Sequence, residues 1–116
     1  MEDFVTFDLA KKLKEKGFGC KYPFAIYFGN RIYYDYGDLI DDKDVIIAPT
    51  ISQVLKWLRD RKNLHICIGV PLAPHSGWDY DITEIDGLIF CHANDGYNCY
   101  EEAALAGIEY VLDNLI

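Results

Sequence analysis

The stretch from Ala48 to Val70, APTISQVLKWLRDRKNLHICIGV, constrains the fold more than any other part of the chain. Thr50 and Gln53 stand three residues apart ahead of an apolar run, the capping-box signature of a helix start. Ile51, Val54, Leu55 and Leu58 follow at i, i+3, i+4 and i+7, the spacing of one buried helical face. Trp57 lies beside that stripe and closes its edge, while Arg59, Arg61 and Lys62 complement the negative end of the helix dipole. At Asn63 the period changes from 3.6 to 2. Ile66, Ile68 and Val70 then share one face of a strand, and His65 and Cys67 the other. The stretch predicts a capped helix and a following strand, with the rest of the chain arranged about them.

Upstream, the pattern predicts a helix from Thr6 to Lys16. Thr6 caps it, Asp8 suits its first turn, and Leu9, Ala10 and Leu13 form its buried stripe. Gly17 supplies the left-handed residue that ends it, with Phe18 folding back on the last turn. Lys11, Lys12, Lys14 and Lys16 read as a solvated face rather than a nucleic-acid patch. Phe24 to Tyr36 reads as two strands joined by a Gly29-Asn30 turn, with Ile26 opposite Tyr33 and Tyr27 opposite Ile32. One face then carries Phe24, Ile26, Phe28 and Tyr33, and the other Tyr27, Ile32, Tyr34 and Tyr36. A hairpin apolar on both faces is either covered twice or offers one face to a partner. The partner-binding candidates are therefore Tyr27, Ile32, Tyr34 and Tyr36. The aspartates of residues 37–44 lack the spacing of a calcium loop. Val45 to Ile47 offers a further short strand.

Downstream, Pro71 and Pro74 end the strand that begins at Leu64. A hairpin follows, with strands Trp78–Ile85 and Leu88–Ala93 about an Asp86-Gly87 turn. A last helix starts at Asn98 or Cys99, with Glu101 and Glu102 in its first turn and a wide apolar stripe from Ala104 to Leu115. The expected fold class is α+β in the order αββαβββα, with amphipathic helices packed on a mainly antiparallel sheet.

A chain of 116 residues has the length of one domain, so a single globular domain over 1–116 is expected. Hydrophobic content of 51% with 26% charge is globular rather than disordered. No apolar run approaches the roughly 18 residues of a membrane span. The acidic start MEDFVTFDL lacks the basic and apolar regions of a signal peptide. The expected address is the cytoplasm, with no membrane contact. Cys20, Cys67, Cys91 and Cys99 show no CxxC spacing and read as small buried hydrophobes rather than bridges or zinc ligands. No metal or cofactor is expected.

The net charge of −8 is unevenly spread. Residues 1–62 hold all eleven basic residues and ten acidic ones, a net of +1; residues 63–116 hold nine acidic and no Lys or Arg, a net of −9. Direct nucleic-acid binding by the second half is disfavoured, because it needs cations to displace counterions. A basic protein partner, or imitation of a nucleic acid to block a DNA- or RNA-binding protein, remains compatible. The simplest reading is a solubilising acidic surface.

An Asp86-Gly87 turn sets Asp81 opposite His92 and Thr83 opposite Phe90, with Asp79 two residues further on. Asp79, Asp81, Thr83 and His92 would then share one face. A carboxylate beside an imidazole can orient a general base or begin a metal site. No nucleophile motif, glycine-rich phosphate loop or HExxH accompanies them, so an exposed cross-strand pair is the plainer reading. His65 and Cys67, two apart on one strand, form a second constellation that permits contact without selecting it.

AlaProThrIleSerGlnValLeuLysTrpLeuArg (48–59) with LeuHisIleCysIle (64–68), and TyrGluGluAlaAlaLeuAlaGlyIleGluTyrValLeuAspAsnLeuIle (100–116), resemble a family of small uncharacterised proteins. That family occurs in gut anaerobic bacteria and is often associated with phages or mobile elements. The resemblance covers about 35 of the 116 residues directly. It implies a cytoplasmic accessory protein and brings no catalytic residue. The leading expectation is a non-enzymatic protein acting by protein–protein contact, through the Tyr-rich hairpin or as a homodimer. The competing one is a small enzyme or metal protein using Asp79, Asp81 and His92.

Overall fold

Helix α1 (Phe7–Glu15) starts because the Thr6 hydroxyl accepts the Leu9 amide at 3.3 Å, and buries Leu9, Ala10 and Leu13. It ends in a complete Schellman motif. The Phe18 amide donates to the Leu13 carbonyl at 2.9 Å and the Gly17 amide to that of Lys14 at 3.2 Å, with Gly17 at φ 91°. The computed structural model describes residues 3–19, 23–34, 37, 45–69, 77–84, 89–92 (backbone only) and 96–116. These fall into two compact units, Met1–Gln53 and Val54–Ile116.

In the first unit β1 (Ile26–Phe28), β2 (Arg31–Tyr33) and β3 (Val45–Ile47) form an antiparallel sheet in the order β2-β1-β3. The hairpin register is the expected one, Ile26 opposite Tyr33 and Tyr27 opposite Ile32. Gly29 takes φ 64° while Asn30 stays at negative φ, the signature of a type II′ turn. Helix α1 packs by β3, and the Lys14 ammonium donates to the Val45 carbonyl at 3.3 Å. The N-terminal segment pairs with the approach to the second helix. The Val5 amide donates to the Pro49 carbonyl at 3.0 Å, the Ile51 amide to that of Asp3 at 2.9 Å, and Phe4 bridges Thr50.

Helix α2 (Ile51–Lys62) begins with the expected capping box. The Gln53 amide donates to the Thr50 hydroxyl at 3.1 Å and the Thr50 amide to the Gln53 side-chain oxygen at 2.9 Å. Ile51, Val54, Leu55 and Leu58 are all buried, and Lys62 lies over the Trp57 ring at 5.4 Å. Asn63, at φ 60°, is the one residue between α2 and β4 (Leu64–Gly69).

In the second unit β4, β5 (Asp79–Glu84) and β6 (Ile89–His92) form an antiparallel sheet in that order. Helix α3 (Tyr100–Asn114) packs on β4 and β5, burying Ala103, Ala104, Gly107, Ile108, Val111 and Leu112. It comes so near that a Cβ at Gly107 would stand 3.0 Å from Ile66 Cγ2 and 3.1 Å from Tyr80 Cδ1. Cys99 is its N-cap and gives no side-chain bond; the Glu102 carboxylate instead accepts the Asn98 amide at 2.8 Å.

The fold is α+β with antiparallel sheets, and the short strand Val45–Ile47 makes the order αβββαβββα. Among the described residues no helix is long and apolar enough to cross a membrane.

Candidate functional site

Directly opposed residues of an antiparallel pair share a face. The register sets Leu64 against Glu84, Ile66 against Ile82 and Ile68 against Tyr80 on the side that meets α3. The other side collects the polar residues. His65 stands opposite Thr83, Cys67 opposite Asp81, and Gly69 opposite Asp79, while β6 places His92 opposite Asp81. Cys67, Asp81 and His92 thus form one row across three strands.

The expected Asp81–His92 pair is present, with Ile82 opposite Cys91 beside it, but the pairing of Thr83 with Phe90 is corrected. A bulge between Ile82 and Thr83 puts Thr83 opposite Ile89, leaving Phe90 as the extra residue of β6. The Asp86-Gly87 turn lies outside the described residues. So does His75.

Asp79 does not sit in an exposed pair: it is buried. Asp81 and His65 are half-buried, and Cys67 is exposed as a free thiol. Among the described residues His65 Nδ1 is buried with no hydrogen-bond partner. An unpaired buried nitrogen is costly, by about 1–3 kcal/mol, so this atom is the most unusual polar feature of the face. His65 stood apart from the acids in sequence and joins them only through the β4–β5 pairing. Among the described residues no three His, Cys, Asp or Glu side chains are grouped to hold a metal ion.

The second candidate surface is the β1–β2 hairpin. Tyr27 is buried here, not displayed. Its hydroxyl donates to the Val5 carbonyl at 2.6 Å and its ring meets Phe7 edge-on at 5.4 Å. Burial, then the neighbouring Tyr34, raises the Tyr27 phenol above its ordinary pKa. Ile32 is half-buried, and Tyr34 is 65% exposed with its ring edge against Phe4 at 5.7 Å. Tyr36 lies outside the described residues. On the opposite face Ile26 is buried, so the hairpin centre is covered on both sides. Its margins are not: Phe24 is 61% and Phe28 37% exposed. Sequence alternation grouped Phe24 and Phe28 with Ile26 and so missed their exposure.

The acidic second half shows Glu102, Glu109 and Asp113 exposed on α3. They are spaced roughly 10.5 and 6 Å along the axis, against about 3.4 Å between successive charges on one DNA strand. Imitation of a nucleic acid would have to draw on acids beyond this helix.

Comparisons with protein-family models, curated proteins and solved structures find no match to this chain.

Proposed function

We propose that this protein is a small, non-enzymatic accessory protein that acts by protein–protein contact through the margin of its β1–β2 hairpin. The observation that carries this reading is the exposure of Phe24, Phe28 and Tyr34 within eleven consecutive residues. Aromatic side chains supply large contact area at low entropic cost and are enriched at interfaces. The free thiols of Cys67 and Cys99 fit a reducing, cytoplasmic setting. The mobile-element context follows from the family resemblance alone.

The contact surface is thereby moved from Tyr27 and Ile32 toward Tyr34, Phe24 and Phe28. The test is affinity capture from the native host with wild-type protein and a Phe24→Ser, Phe28→Ser, Tyr34→Ser variant. Hydrogen exchange would verify that the variant keeps its fold. A specific partner held by the wild type and lost by the folded variant supports the reading. Retention of every partner by the variant ends it.

A second reading rests on the sheet face of the second unit, where Asp81 lies opposite His92 and, among the described residues, His65 Nδ1 is buried unpaired. There Asp81 would orient His92 as a general base. NMR titration of His92 in the wild type and in Asp81→Asn distinguishes the roles. An unchanged His92 titration in Asp81→Asn removes this reading.

A further inference from the structure

We infer that the partner of the hairpin is a second copy of this chain, joined edge to edge along β2 about a twofold axis at Ile32. This rests on the contact reading above and names its occupant. Gly29 and Asn30 form a two-residue loop, so Phe28 and Arg31, which flank it, are a hydrogen-bonded pair. Pairs alternate along an antiparallel ladder. Tyr27 and Ile32 are therefore the non-hydrogen-bonded pair, and the amide and carbonyl of Ile32 point away from β1. The sheet order is β2-β1-β3, so β2 is an edge, and among the described residues nothing pairs with its outer side. An edge strand presenting unpaired backbone groups is a template for another strand.

Self-pairing is favoured by what a twofold axis at Ile32 brings together. Ile32 meets Ile32 of the other copy as a hydrogen-bonded pair, and each copy's outward amide reaches the other's outward carbonyl. Arg31 falls opposite Tyr33 of the second copy, twice over. The guanidinium thus meets an aromatic ring rather than another guanidinium, which in-register parallel pairing would force. Asn30 falls opposite Tyr34, the 65% exposed ring at the hairpin margin. The result is a continuous six-stranded sheet, β3-β1-β2 followed by the same strands in reverse. With only three residues in β2, the dimer is weak and depends on concentration.

Two substitutions test this in the full chain. Ile32→Pro removes an N–H that serves only the second copy, because it points away from β1, and proline is tolerated at such edge positions. Ile32→Cys places two thiols opposite each other, with alpha carbons about 5.5 Å apart, within disulfide reach. Arg31→Cys opposes Tyr33 and is the matched control. Sedimentation equilibrium of the wild type should show a monomer–dimer equilibrium, and Ile32→Pro should weaken it at least about tenfold, since two intermolecular hydrogen bonds vanish together. Under mild oxidation Ile32→Cys should cross-link to a dimer well beyond the wild-type level, which accounts for exposed Cys67, and Arg31→Cys should not. If Ile32→Pro fails to fold by circular dichroism, the cross-linking pattern decides. A wild type that stays monomeric up to about 1 mM, a regime of negligible affinity, overturns the inference. So does equal cross-linking of the two cysteine variants. Either result leaves the hairpin-margin reading standing on its capture experiment, which is scored on other proteins; failure of both removes the hairpin as a contact surface.

Discussion

Tyr27→Phe removes one oxygen atom and isolates the contact that ties the hairpin to the N-terminal segment. The Tyr27 hydroxyl donates to the Val5 carbonyl at 2.6 Å, and Val5 is fully buried. Val5 uses its amide on Pro49, so both backbone polar groups of this residue are held. Phenylalanine keeps the ring and its edge-on contact with Phe7, so little packing is lost. The buried carbonyl loses its partner, at a cost of about 1–3 kcal/mol. That is a large fraction of the roughly 5–15 kcal/mol of a typical domain. Hydrogen exchange read on peptides covering residues 3–10 and 26–28 should accelerate roughly 5- to 150-fold. Tryptophan fluorescence reads the second unit separately, because Trp57 and Trp78 both lie there. The same variant has a pH signature. The native Tyr27 phenol has its pKa raised above 10.0, first by burial and then by Tyr34. The folded state therefore holds this proton more firmly than the unfolded chain. Its contribution is complete below pH 10 and is lost as pH rises through the raised native value. Tyr27→Phe should flatten that alkaline loss. An exchange change below about twofold, under roughly half a kcal/mol, would refute the assignment of the hydroxyl as a structural donor.

Substitutions at three further positions test named contacts. His65→Phe should leave the second unit as stable or raise its stability by up to about 1 kcal/mol in fluorescence-monitored denaturation, because an unpaired buried nitrogen is replaced by carbon; marked destabilisation would mean that Nδ1 is hydrogen-bonded after all. Gly107→Val should destabilise the same unit by about 1–3 kcal/mol through crowding against Ile66 and Tyr80. Gly107→Ala should cost less, since alanine's helix propensity offsets part of the clash. Thr50→Ala should cost about 0.5–2 kcal/mol by urea denaturation, and Thr50→Ser, which keeps the capping oxygen, much less.

What the chain reveals of itself in one dimension is what its neighbours along the chain can enforce. Thr50 with Gln53, Thr6 with Leu9, and Gly17 with Phe18 act within one helical turn, and each was legible. The register of Ile26 with Tyr33 was legible because a two-residue turn leaves no slack. The pairing of β1 with β3, of Phe4 with Thr50 and of β4 with β5 is of another kind. Backbone edges carry no side-chain code, and alternation says which face is apolar but not which edge is occupied. The same limit hid both features of the candidate surfaces. His65 joined Asp81 and Thr83 only once β4 had found β5, and Tyr27 was claimed by a carbonyl 22 residues away. The bulge beside Thr83 shows how a local register can be right at Asp81 and wrong two residues later.

The joint at Asn63 governs how this chain can change. With one left-handed residue between α2 and β4, the rotational phase of the helix and the alternation of the strand are locked together. Inserting or deleting a single residue there would turn Cys67 and His65 toward α3 and expel Ile66, where Gly107 leaves no space. The interval from Leu58 to Ile66 should therefore tolerate substitution far better than any change of length. Descendants of this sequence are best sought by the constancy of that interval, which should outlast the identity of the residues within it.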